Sequence, residues 1–133
     1  MTKPFVPPTS FPTPLPIPYL QRDGYRADGT PRKGKWKVRT DTVYAANEYF
    51  WYYYHGEHPK GTIPIFLDTS APLDTSPDNL VLLTIRELKN LVHHNNRIYS
   101  NNKELQQTSV ALVKLRIVIA DLEKEVRNHA RKH

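Results

Sequence analysis

The 133-residue chain has no cysteine and a formal net charge of +6. That size fits one compact domain with extensions, and the missing cysteines exclude disulfides and thiolate metal sites and suit a reducing compartment. The charge fits phosphate backbones or acidic surfaces, and equally a plain basic surface; no apolar run reaches the length of a membrane span.

Residues 1–20 form the first region. The lysine and prolines after Met1 do not read as a signal peptide. Seven of the chain's twelve prolines lie here, from Pro4 to Pro18. Each fixes its own φ and extends the residue before it, so polyproline II is expected rather than helix or central strand. Phe5, Val6, Phe11, Leu15, Ile17 and Tyr19 make the arm too apolar for a plain linker. A docking arm on a partner or a neighbouring copy is expected, with a disordered tail as the alternative.

Residues 21–83 form the second region. Asp23-Gly24, Asp28-Gly29 and Pro31 mark turns. Lys35 to Val43 alternates as a strand, with Trp36 and Val38 on one face and Lys35, Lys37 and Arg39 on the other. Together with Arg32 and Lys33, this strand is a candidate nucleic-acid surface: the basic side chains would track phosphates beside the Trp36 ring. Val43 to Tyr54 is expected to be a short helix whose aromatic run supplies a core, though it can also stack bases. Gly56 and Pro59-Lys60-Gly61 end it. Ile63 to Leu67 is expected as a strand, Asp68 to Asp78 as a loop, and Asn79 to Leu83 as the lead into a helix.

Residues 84–133 form the third region. Thr84-Ile-Arg-Glu87 matches a capping box. Leu91, Ile98, Leu105, Leu112, Ile119 and Val126 then recur every seven residues, and Leu115 and Leu122 occupy companion positions of the same heptad frame. No glycine or proline interrupts this stretch, so a long coiled-coil helix is expected, roughly 70 Å if continuous. A second cap at Asn101 with Glu104 would split it. The seam predicts a homo-oligomer. Val110, Val113, Ile117 and Val118 lie off the seam, and covering them favours a trimer over a dimer. A helical hairpin folded back on the domain is the alternative. His93-His94 near the start of the seam can make assembly pH-sensitive.

Three stretches carry a resemblance: Val43-Tyr-Ala-Ala-Asn-Glu48, His55-Gly-Glu-His-Pro-Lys-Gly61, and Asp74-Thr-Ser-Pro-Asp-Asn-Leu-Val-Leu-Leu-Thr84. Together they resemble the HNH endonuclease family in the form common in bacteriophage genomes. The resemblance covers roughly half the chain, and Ser76-Pro-Asp-Asn-Leu80 is its most specific part. It implies an α+β fold with a small ββα unit, in which a strand, a loop and a helix clamp one divalent metal such as magnesium. The metal would stabilise charge on the scissile phosphate, and a neutral histidine would take a proton from water.

In this sequence the general-base position falls on Leu67, or on Asp68 if the alignment shifts by one. The His-Arg pair of the first helix falls on Asn47 and Glu48. The paired asparagines fall on Asp74 and Thr75. The histidines of the final helix fall on Leu88 and on Val92 or His93. A leucine cannot take a proton, so the catalytic candidates reduce to Asp68, Asp74 and His93, with no metal or other cofactor expected unless the chain is a nuclease. His55-x-x-His58 reads as a surface turn without further metal ligands.

A non-catalytic phage structural or assembly protein is therefore expected, in the virion or the host cytoplasm. Its C-terminal helix would oligomerise, and its arm would contact other phage proteins. A DNA-binding protein without catalysis and a DNA-nicking enzyme are the alternatives.

Overall fold

The computed structural model describes residues 5–21, 35–95 and 101–131, apart from the side chains of 94 and 95. The turns expected at 23–31, Arg32, Lys33, the His94 side chain and Ile98 lie outside these residues.

The chain is α+β. Three short strands, β1 (Tyr19–Gln21), β2 (Lys35–Arg39) and β3 (Val43–Ala45), form an antiparallel sheet with β2 in the centre. Val38 pairs with Tyr44, and Trp36 with Leu20. The strand expected over Lys35 to Val43 is thus two strands, joined by a turn in which Thr40 N–H donates to Thr42 C=O at 2.9 Å. The expected helix loses its first residues to β3 and runs as α1 (Ala46–His55). Gly56 ends it at φ +78°, a left-handed backbone that favours glycine.

The second sheet has two antiparallel strands, β4 (Thr62–Phe66) and β5 (Leu80–Thr84). β5 is the stretch read from sequence as a lead into the helix. Helix α2 (Ile85–Asn95) follows it directly, completing a strand–strand–helix unit. The capping box forms as expected: Thr84 N–H donates to Glu87 Oε1 at 2.7 Å, and Glu87 N–H donates to Thr84 Oγ1 at 3.1 Å.

The β4–β5 hairpin has a core on each side. Phe66 and Leu80 face Val38, Ala46, Tyr49 and Phe50. Ile65, Leu67 and Leu83 face Leu91 of α2 and Val110 and Val113 of α3 (Lys103–Arg131). Successive β4 side chains point to opposite faces, so one strand serves both cores. Burial pushes the Tyr49 phenol up from its ordinary value, and its hydroxyl finds no partner among the described residues.

The C-terminal region departs from a single continuous helix. Asn101 and Asn102 are not helical, and Asn102 Oδ1 accepts the Leu105 N–H at 3.0 Å, capping α3 one residue later than expected. Helix α3 then runs back along α2. Arg86 binds Asp121 at 2.9 Å, and Lys114 approaches Glu87 at 3.4 Å. Lys103 binds Asp78 at 2.8 Å; that hydrogen bond, with a further one from Ser76, holds the Asp78 carboxyl down at about 2. Residues beyond Thr84 therefore share a core with the hairpin, and the boundary placed at 83/84 falls inside that core.

The arm also differs from the expectation. Phe11 stacks edge-on against Tyr49 and Tyr53 of α1, with ring centroids 5.3 and 5.0 Å apart, and Phe5 lies 5.9 Å from Tyr44. Phe11 and Leu15 pack on the first core. The groove expected on a partner is thus supplied, for these residues, by the chain itself. Val6 and Ile17 remain exposed.

Candidate functional site

The hairpin loop holds the positions where the resemblance implies chemistry. Asn79, fully buried, fixes that loop. Its Oδ1 accepts the Asp68 N–H at 2.9 Å, and its Nδ2 donates to the carbonyls of Asp68 at 2.9 Å and Asp74 at 2.7 Å. Its own carbonyl accepts the Leu67 N–H at 2.8 Å. One amide thus ties the end of β4, the middle of the loop and the start of β5, using both of its polar ends.

The side chains on this frame differ from those the resemblance implies. Leu67 is 4% exposed and points into the second core. Leu88, where the resemblance implies a histidine, packs against the same cluster. The space between strand end and helix is therefore filled by hydrocarbon, with no lone pair to offer a cation or a proton. Asp68 accepts from Ser70 N–H at 2.9 Å and from the Ser70 hydroxyl, and Asp74 accepts from Ser76 N–H at 2.9 Å, so both carboxylates brace their own loop. His93 is exposed on α2, and Val92 is exposed beside it. Among the described residues no three acidic or histidine side chains come together to hold a metal ion. The residues at the implied site do not fit a divalent cation.

The first helix uses its corresponding positions structurally. Asn47 Nδ2 donates to Pro64 C=O at 2.7 Å, hooking α1 to β4. Glu48 meets His58 Nε2 at 2.7 Å, while His58 Nδ1 lies 2.9 Å from Thr62 Oγ1. His58 is thus held toward α1, and His55 stacks on Trp51 with centroids 4.2 Å apart. The Glu48–His58 pair was not foreseen: it joins a helix to a turn ten residues on, and no local pattern marks it.

The basic strand keeps its alternation. Lys35 and Arg39 are exposed and Lys37 is half-buried, while Val38 is buried. Trp36 does not serve as an open stacking surface: its indole N–H donates to Thr69 C=O at 2.8 Å and its ring packs on the first core.

A third surface is the outer side of α3. Gln106, Val110 and Val113 are buried, with Ile117 partly covered, and all of them lie off the heptad seam. The seam residues point the other way. Leu112, Leu115, Ile119, Leu122 and Val126 are all exposed, up to 68% for Val126. Every residue from Val118 to Arg131 is exposed. Helix α3 carries two apolar faces, one used within the chain and one left open.

No helix among the described residues is long and apolar enough to cross a membrane. Comparison with protein-family models, curated proteins and solved structures gives no match, so the resemblance to HNH endonucleases rests on the sequence stretches alone.

Proposed function

We propose that the chain is a non-enzymatic bacteriophage structural or assembly protein, an HNH-like ββα unit whose hydrolytic site has been converted to core and whose C-terminal helix makes a homo-oligomer. The observation that carries this reading is the pairing of positions: Leu67 and Leu88 stand where the resemblance implies histidines, and both belong to one apolar cluster. A nuclease needs a polar cleft there to hold metal and water. The exposed seam of α3 supplies the second support, because contiguous exposed aliphatic side chains on a helix mark an interaction surface. For contacts of the arm with other phage proteins, Val6 and Ile17 remain available. The proposed setting is the virion or the host cytoplasm.

The test is a plasmid-nicking assay with magnesium and with manganese. No cleavage above background is expected. Metal-dependent nicking that disappears in Asp68→Ala or Asp74→Ala would overturn the non-enzymatic reading.

DNA binding without catalysis is a second reading, favoured by the basic face of β2. Neutralising Lys35, Lys37 and Arg39 together should then weaken binding alike on unrelated duplexes and lower the slope of log affinity against log salt by about 2–3, since each phosphate contact contributes nearly one. Unchanged binding in the triple variant would exclude this face as the contact.

A further inference from the structure

We infer that the outer face of α3 pairs with the same face of a second copy of this chain, in antiparallel orientation, with Arg116 of each copy meeting Glu123 of the other. This rests on the proposed self-association and specifies its geometry.

Val110, Val113 and Ile117, which from sequence favoured a trimer, are covered by the chain's own α2 and hairpin, whereas Val118 stays exposed on the flank of the seam. With most of that demand gone, the surface left to cover is the seam stripe with Val118 beside it. Leu112, Ile119 and Val126 alternate along it with Leu115 and Leu122, the seven-residue spacing of a two-stranded seam. The ion pairs of α2 with Lys114 and Asp121 lie away from the stripe, so a second helix can approach without displacing the first.

Flanking charges set the orientation of such pairs. Arg116 and Glu123 occupy equivalent flanking positions one heptad apart, are exposed, and join no ion pair among the described residues. In a parallel pair each would face the opposite flank of its partner, where Ala111 and Val118 stand, and neither charge would be answered. In an antiparallel pair, like flanks meet. The register that sets Ile119 against Leu122 and Leu115 against Val126 brings Arg116 onto Glu123 twice, by symmetry. Sliding by one heptad in either direction sets Arg116 on Arg116 or Glu123 on Glu123. One register therefore satisfies both the stripe and the charges. It overlaps the helices from Leu112 to His129, about 27 Å at the rise of an α-helix. The seam side lies opposite each copy's own core, so the two folded bodies do not compete for space.

The test is sedimentation equilibrium of the full chain at low salt, with circular dichroism as a folding control. Arg116→Glu and Glu123→Arg alone each replace two attractive contacts with two repulsive ones. Each should raise the dimer Kd about tenfold, the scale of exposed ion pairs counted twice. The double variant, which restores both pairs with charges exchanged, should return to within about threefold of the original.

The missing cysteines allow a second readout. A spin label at Asn128→Cys should report a separation above about 22 Å, because the antiparallel register offsets the two sites by that length along the axis. In a parallel pair the labels would lie side by side. A dimer whose affinity ignores both single changes, or whose labels are close, overturns the antiparallel register and leaves self-association standing. A chain that stays monomeric at about 100 μM overturns both this inference and the self-association on which it rests.

Discussion

Replacing Asn79 by alanine is expected to cost about 3 kcal/mol of folding stability, more than an exposed polar change elsewhere in the loop. The amide is fully buried and makes three hydrogen bonds, to the N–H and C=O of Asp68 and to the C=O of Asp74. Truncation removes all three and leaves those backbone groups without a protein partner. A net value of about 1 kcal/mol per bond describes the exchange, and incomplete rehydration of the freed groups adds to it. Asn79→Asp tests the mechanism further. It is nearly isosteric but replaces the donating amino group with an acceptor, setting oxygen against the Asp68 and Asp74 carbonyls. It should be at least as damaging as alanine. Asp78→Asn, at an exposed neighbour, should cost less than either. Urea unfolding with an unchanged slope measures all three. A loss below about 1 kcal/mol for Asn79→Ala would mean that the clamp does not hold the loop.

The second large effect separates the two faces of the C-terminal region. Leu91→Ala should destabilise the folded chain by about 2–5 kcal/mol, the range for a fully enclosed leucine reduced to a cavity. Leu91 is 0% exposed, among Ile65, Leu67, Leu83, Val110 and Val113. Leu105→Ala, also a seam position by heptad count, should change stability by no more than about 0.5 kcal/mol, because Leu105 is 57% exposed and lies outside the proposed dimer overlap. Thermal or urea unfolding at low concentration reads both. Similar losses from the two substitutions would contradict the division of faces.

That contrast also shows where periodicity misleads. Leu91 and Leu105 are two heptads apart, and on one continuous helix they would share a stripe. Helix α2 is described to Asn95, Asn101 and Asn102 are not helical, and α3 begins under the Asn102 cap, so the phase of α2 has no bearing on α3. Counting by sevens within α3 does group a real face, which turns outward. The off-seam residues Val110, Val113 and Ile117 form the inner face. A helix with apolar residues on two sides needs two partners, and sequence alone does not say which is the chain's own.

The capping box was legible because its two hydrogen bonds depend only on residues three apart. Alternation made β2 legible. β5 was not: Leu80-Val-Leu-Leu83 shows no alternation because both faces of the hairpin carry a core, and a short apolar run of that kind does not distinguish strand from helix. β3 was absorbed into the helix because the turn before it, Thr40 to Thr42, contains no glycine or asparagine to announce a hairpin. Phe5 folds onto Tyr44 of β3 and Tyr52 of α1, and Phe11 onto α1, over a long sequence separation that no local pattern encodes.

In the candidate site, the resemblance singled out Leu67, Leu88, Asp68 and Asp74 in the sequence. It did not reveal that Leu67 and Leu88 share one cluster, nor that Asn79 spans the loop.

The proposed assembly requires that the open face of α3 be covered by another copy of the chain. Light scattering coupled to size exclusion, on the full chain at up to about 100 μM, tests it most directly. The expected molar mass is twice the chain mass of 15.5 kDa. A mass of one chain across that range would contradict self-association, and three times the chain mass would keep it while rejecting the antiparallel pair.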